Sequence, residues 1–250
     1  MRSIFDWRLP VLAIQFLTRL PTPQIQHFEP SLLAKSVGWF PMVGLIVGGL
    51  LLIPAYGLQQ EPWLAAVLSL LLWVWVTGGL HLDGLADMAD GLGASHRDPA
   101  RFLAVLKDPH LGSFGVLSLI MQTILKLILL MLCIRSHAWW AILLIPAWAR
   151  SGVYSWQTLP ALAPGMAEQF GWKKTPYLGW SWWLCLLGLS VWLSPWLVLG
   201  LAVIVVYRSW LKHKLGGVTG DCLGAGIEMS ESALLICAIV GPIIAHTIAN

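Results

Sequence analysis

Long apolar runs separated by short polar breaks fill most of this sequence. Apolar runs of about 20 residues match the hydrocarbon thickness of a bilayer. They predict spanning helices at roughly Val37–Leu58, Trp63–Leu80, Phe114–Ile134, Ala138–Trp156, Leu178–Leu193, Pro195–Trp210 and Ser232–Ile248. Only Ser194–Pro195 parts the fifth from the sixth, which predicts a tight turn. Leu9–Leu20 is apolar but too short to cross, so it is expected to pack at the interface or within the protein. No cleavable signal peptide is evident in the opening residues.

Composition agrees with the pattern. The chain is 58% hydrophobic and 11% charged, and its mean hydropathy is +0.75. A soluble domain carries about 45–50% apolar and about 25% charged residues, so this chain cannot cover a water-facing surface. The expected fold is all-α: a polytopic integral membrane bundle of about seven transmembrane helices, forming one membrane-embedded domain over residues 1–250. A net charge of +3 gives no argument for nucleic acid.

The placement of the charge is more informative than its sum. Arg2, Arg8, Arg19 and Lys35 precede the first span, and Arg97, Arg101 and Lys107 lie between the second and third. Arg150, Lys173 and Lys174 fall near the loop after the fourth, and Arg208, Lys212 and Lys214 close the sixth. The alternate loops hold only Arg135. This alternation predicts a cytoplasmic N-terminus. Cys133, Cys185, Cys222 and Cys237 form no CxxC pair and read as reduced packing residues. Trp139–Trp140, Trp182–Trp183 and Trp210 stand near span ends and read as an interfacial aromatic belt.

The stretch Thr77–Gly91 carries the clearest chemistry. Asp83, Asp87 and Asp90 stand at offsets of four and three residues, which puts them within about 60° of one another on a helix. Three carboxylates on one face near an apolar span repel each other and lose hydration. A divalent cation removes both penalties, and the oxygen donors suit Mg²⁺, which takes its remaining ligands from water and phosphate. The rival reading is a solvated helix end with its acids facing water. A second cluster, Leu215–Gly226, is glycine-rich and reads as a loop that would present Thr219, Gly220 and backbone N–H groups to an anion. Asp221 is a fourth candidate metal ligand, with Glu228 and Glu231 following on roughly the same helical face. An ordinary flexible connection is the alternative.

Lys107 and His110 are further candidates for phosphate oxygens. Asp108 reads either as a ligand or as a cap for the following helix. Lys126 lies deep in an apolar run and requires a partner or a polar cavity. Arg150 reads as snorkelling or as a binding group, and Arg19 as a partner for phosphate or lipid headgroups. Together these features point to metal-assisted chemistry on a diphosphate, with one carboxylate as general base.

At these motifs the chain resembles the cobalamin synthase family, adenosylcobinamide-GDP ribazoletransferase. The matching pieces are Phe16–Pro21, Gly38–Gly44, Thr77–Gly91, Lys107–Asp108 with Gly112 and Gly115, and Gly216–Asp221 running on to Glu228 and Glu231. The resemblance implies the last assembly step of the cobalamin nucleotide loop. In that step α-ribazole or its 5′-phosphate attacks the cobinamide-bearing phosphorus of adenosylcobinamide-GDP, GMP leaves, and Mg²⁺ is required. It implies Asp83, Asp87, Asp90 and Asp221 as metal and diphosphate residues, with Asp87 and Asp90 at the chemistry and Asp90 as the base. Arg19, Lys107, Thr219 and Gly220 would hold phosphate, and His81, Asp108 and Arg150 complete the substrate-binding candidates. The expected setting is a bacterial inner membrane with the site facing the cytoplasm. The expected partners are these small molecules, membrane lipid, and a second copy or other cobalamin-assembly enzymes.

The chain departs from the family pattern at Pro160–Gly165, which lacks a Tyr and an Arg, and at His110, where Arg is common. Weaker phosphate binding, altered substrate choice, or replacement by Lys173 and Lys174 are the alternatives this leaves open. Two other enzyme classes use aspartate-rich membrane motifs, the CDP-alcohol phosphotransferases and the prenyltransferases. A cation or corrinoid transporter is the rival from outside enzymology.

Overall fold

The computed structural model describes residues 6–25, 29–95, 98–163 and 176–249. The expectations placed on Arg2, Arg97, Pro164, Gly165, Lys173 and Lys174 lie outside these residues. The described chain is helical: α1 (Arg8–Leu17), α2 (Pro30–Ser36), a 3₁₀ turn (Val37–Trp39), α3 (Phe40–Gly57), α4 (Pro62–Thr77), α5 (Leu80–Ser95), α6 (Pro99–Val105), α7 (Ser113–Arg135), α8 (Trp139–Ser151) and α9 (Val153–Trp156). There follow α10 (Pro176–Leu193), a 3₁₀ turn (Pro195–Leu199), α11 (Gly200–Lys214) and α12 (Gly220–Ala249). Among the described residues there is no strand, only a bridge between Ala161 and Val218.

Proline in the first turn starts several of these helices, where its missing N–H is no loss. Gly78 (φ +65°) and Gly79 (φ +73°) end α4 and turn the chain by 85° into α5. The left-handed backbone at both positions suits glycine. Gly78 N–H donates to the Trp75 carbonyl at 3.2 Å and Gly79 N–H to the Val74 carbonyl at 3.1 Å, closing the helix end. By length and composition, 4 helical stretches among the described residues can cross a membrane: Ser31–Gly57, Ser113–Arg135, Pro195–Lys214 and Gly220–Thr247. The bent pair α4–α5 would make up to 5 if counted as one span, and α1 and α10 are shorter apolar helices. The protein is thus a multi-pass membrane protein. All seven apolar stretches are helical, with one revision at the C-terminal end.

That revision concerns the second glycine cluster. It is a loop only over 215–219, because α12 begins at Gly220 and runs unbroken past the expected last span. The glycines that looked like loop formers sit on a helix seam. A Cβ at Gly84 would lie 2.8 Å from the Asp221 carbonyl oxygen, and one at Gly224 would lie 3.5 Å from the His81 Cα. Close backbone approach between α5 and α12 outweighs the roughly 1 kcal/mol that glycine costs inside a helix. Gly44 and Gly48 do the same for α3 against α8, where a Cβ would strike the backbone of Leu143, Pro146 and Ala147.

Two of the belt tryptophans also face inward. Trp182 donates its indole N–H to the Gly38 carbonyl (2.9 Å) and Trp183 to the Ser151 hydroxyl (3.2 Å). An indole N–H needs an acceptor, and these two find theirs inside the bundle. At one end of the bundle Tyr56 packs edge-on against Trp139, joining the α3–α4 and α7–α8 turns. At the other, Asp98, Leu162 and Lys214 from three different connections share a cavity of about 310 Å³. The short N-terminal α1 packs inside, burying Leu12, Ala13 and Leu17 and stacking Phe16 on Phe40 at 5.9 Å.

Gly48→Val should lower the thermal midpoint of the detergent-solubilised protein by roughly 3–10 °C through overpacking. Gly49→Val, where a Cβ meets nothing within 4 Å, should leave it unchanged. Equal midpoints for the two variants would refute the tight α3–α8 seam.

Candidate active site

The bend at Gly78–Gly79 lifts α5 away from α4 and opens a cavity of about 800 Å³. Arg19, Thr77, Asp83 and Asp87 line it, with Pro109 and Leu111 from the α6–α7 connection on the facing wall. Arg19 is carried in by the segment after α1: its N–H donates to the Val76 carbonyl at 2.7 Å, and its side chain lies over Gly78. Glycine at that position leaves the guanidinium room. Asp83 is exposed and Asp87 partly so. Among the described residues neither carboxylate has an ion pair or a side-chain hydrogen bond. Two unpaired carboxylates face the same space as the Arg19 guanidinium, whose Nη2 donates to the Gly78 carbonyl at 3.4 Å.

A second cavity of about 100 Å³ adjoins it on the α12 side, lined by His81, Asp83, Gly84, Asp221 and Gly224. Asp83 belongs to both. Asp83, Asp90 and Asp221 all bear electrostatically on Asp87. The expected meeting of the two acidic clusters is therefore present, through the α5–α12 seam. Among the described residues no three Asp, Glu, His or Cys side chains converge as a ready-made nest. The carboxylates instead stand around open space. That donor set, all oxygen and partly solvated, fits a hydrated hard cation such as Mg²⁺ completed by substrate phosphate.

Asp90 is placed differently from Asp83 and Asp87. It is buried, and its two carboxylate oxygens accept the Gly112 N–H at 2.7 Å and the Gly115 N–H at 2.8 Å. It does not line the cavity. The residue expected as base has both oxygens committed to the start of α7. Asp108 neither joins the acids nor caps α7: it accepts the His110 backbone N–H at 3.0 Å and pairs with the ring Nδ1 at 2.6 Å. Those bonds hold its carboxyl below the usual range. Lys107 is exposed on this connection and does not reach the cavity lining.

Two further expectations, on Thr219 and Arg150, change for physical reasons. Thr219 is buried and accepts the Cys222 N–H at 3.2 Å, so it caps α12 instead of offering its hydroxyl to phosphate. Gly220 remains exposed at the start of that helix. Arg150 does not snorkel or face substrate: it is fully buried, donating to Glu231 at 2.9 Å and to the Pro146 carbonyl at 3.0 Å. Lys126 has the partners its depth demands, Glu228 and Glu231, both at 2.6 Å, and lies 4.1 Å from the Trp73 ring centroid. Gln122 completes the cluster, donating to Glu228 at 3.0 Å and Ser232 at 2.8 Å. Two cations and two carboxylates thus tie α7, α8 and α12 together below the site. His81 is buried and looks only into the smaller cavity.

Leu119 and Thr123 of α7 line the main cavity and carried no sequence signal. Each is a single position in an apolar run, and nothing short of the helix's placement marks it.

The model of a known family, cobalamin-5-phosphate synthase, matches residues 10–239. The chain belongs to that family. It is 55% identical over 233 residues to an adenosylcobinamide-GDP ribazoletransferase of Laribacter hongkongensis, covering 92% of this chain and 96% of the relative. A Thiobacillus denitrificans protein of the same name is 48% identical over 242 residues, covering 95% and 97%. One from Novosphingobium aromaticivorans is 40% identical over 244 residues, covering 95% and 98%. No solved structure matches. Arg19, the α5 acids, Asp221 and the buried ion cluster all fall inside the matched cobalamin-5-phosphate synthase stretch. Membership in that family removes the ground for the transporter and the other aspartate-motif readings.

Glu231→Ala leaves Lys126 and Arg150 short of a partner, and breaking a buried pair costs roughly 3–5 kcal/mol. The expected result is a large fall in folded yield and thermal midpoint in detergent. A midpoint within about 2 °C of wild type would mean the cluster carries no such burden.

Proposed function

We propose that this chain is an adenosylcobinamide-GDP ribazoletransferase that requires Mg²⁺ and acts at the end of cobalamin nucleotide-loop assembly. Its family and the names of its relatives support the reaction class. The family's description favours α-ribazole 5′-phosphate as acceptor, with α-ribazole as the alternative. The observation that carries the reading is the open cavity in which Arg19 stands with the unpaired carboxylates of Asp83 and Asp87.

In the reaction a ribose hydroxyl of the ribazole attacks the phosphorus that bears cobinamide. The P–O bond to GMP breaks, GMP leaves with the electron pair, and the hydroxyl proton passes to a carboxylate. Arg19 is the group for a diphosphate oxygen, since its planar donors match phosphate. Asp83, Asp87 and Asp221 are the residues to hold the cation. The chemistry a cation held there would supply is neutralisation of phosphate charge and stabilisation of the departing oxygen. Asp87, cornered by other acids and partly shielded from water, is the best placed of the free carboxylates to accept the proton. Pro109 and Leu111 give the cavity an apolar wall beside the reacting groups. The segregation of basic residues to alternate connections supports a cytoplasmic N-terminus, seven crossings and a cytoplasm-facing site in a bacterial inner membrane.

The test is an incubation of purified protein in detergent or liposomes with adenosylcobinamide-GDP, each acceptor, and Mg²⁺, following GMP and the corrinoid product. Turnover should vanish with EDTA. Asp87→Asn should cut kcat at least about 100-fold without unfolding the protein, and Arg19→Ala should raise KM about tenfold. Full activity in Asp87→Asn would sink the metal and base assignment. Silence from folded wild-type protein with both acceptors would sink the transferase reading.

A further inference from the structure

Asp90 sits on the acidic face of α5, yet its surroundings are unlike those of Asp83 and Asp87. Its side chain is 8% exposed by residue, and each oxygen is taken by a different backbone N–H at the start of α7. The first N–H groups of a helix are unsatisfied within the helix and carry partial positive charge. No side chain of the α7 N-cap residue, Gly112, fills that role. Asp90 supplies the missing acceptor from another helix. Its charge is met by α7 and needs no cation.

Glycine at both partners is what lets the carboxylate in. A Cβ on Gly112 would lie 2.8 Å from the Asp90 Cγ, and one on Gly115 would strike an Asp90 oxygen and stand 3.1 Å from the Ala86 carbonyl oxygen. The C-terminal end of α5 is packed against this region twice more at glycine. Phe102 of α6 lies over Gly91, and Phe114 of α7 lies over Gly93. The connection at 106–111 is therefore hung between fixed points, stiffened by the Asp108–His110 turn. Pro109 and Leu111 on this connection form a wall of the cavity that holds Arg19, Asp83 and Asp87.

We propose that Asp90 is a positioning residue: its carboxylate staples the start of α7 to α5 and so sets the Pro109–Leu111 wall against which substrate is bound. It acts on substrate affinity and leaves the proton transfer to the free acids. The kinetic part of this rests on the transferase reading above; the staple itself does not.

The experiment pairs kinetics with amide hydrogen exchange on the full-length protein in detergent. Asp90→Asn keeps one acceptor and turns an NH₂ toward a backbone N–H. Gly112→Ala leaves the carboxylate chemically intact but displaces it. Both variants should raise KM about tenfold while kcat stays within about threefold of wild type, whereas Asp87→Asn loses kcat. Both should also speed exchange across 106–116 about tenfold or more, with α12 unchanged, because a local opening has been made easier. A collapse of kcat in Asp90→Asn at unchanged KM, while Gly112→Ala behaves as wild type, would overturn the proposal and return Asp90 to the chemistry. Unchanged exchange across 106–116 in both variants would overturn it as well. Inactive wild-type protein counts against the transferase reading alone. The exchange comparison needs no substrate and still decides the staple.

Discussion

The interaction on which this structure depends is the buried exchange of charge among Lys126, Glu228, Glu231 and Arg150. A lysine and an arginine without water are stable only where carboxylates meet them at hydrogen-bond distance. Here they are met at 2.6 to 2.9 Å from a single helix, α12. That requirement fixes the rotation of α12 against α7 and α8. With its rotation set, the glycine seam at Gly84 and Gly224 can close. Asp221, two turns above Glu228, then arrives beside the acids of α5.

The acids of this protein divide by what neutralises them. Glu228 and Glu231 are answered by buried cations, and Asp90 by the N–H groups at the start of α7. Asp108 is answered by His110. Asp83 and Asp87 have no such partner among the described residues, and both face the open cavity. Carboxylates left unpaired beside an apolar bundle carry a standing electrostatic cost, and functional sites are where such costs are retained. The pattern of satisfied and unsatisfied charge, more than the count of aspartates, marks the site.

Much of the fold was legible before any coordinates. The apolar runs named the long helices α3, α4, α7, α10 and the body of α12, because a bilayer tolerates little else, but not the twelve residues by which α12 extends back to Gly220. The Asp83–Asp87–Asp90 spacing placed three acids on one helical face, and Lys126 announced that it must be paired. The glycine cluster misled because glycine serves loops and helix seams equally well, and only a neighbouring helix distinguishes the two. Trp182 and Trp183 misled for a related reason: an indole at a span end suits an interface or an inward carbonyl.

What the sequence by itself determined is the membrane-embedded helical class, the acidic and glycine-rich motifs, and the family resemblance they carry. All of these follow from local composition and from spacing along one helix. What only the tertiary structure decided is which charges meet. Arg150 pairs with a residue 81 positions away, Asp90 with amides 22 and 25 positions on, and Lys126 with a partner 105 away. Coulombic and hydrogen-bond partners are chosen by proximity in space, and in a bundle that proximity is set by how helices cross. The division of the α5 acids into two that face an open cavity and one bound to the start of α7 is therefore a property of the packed helices.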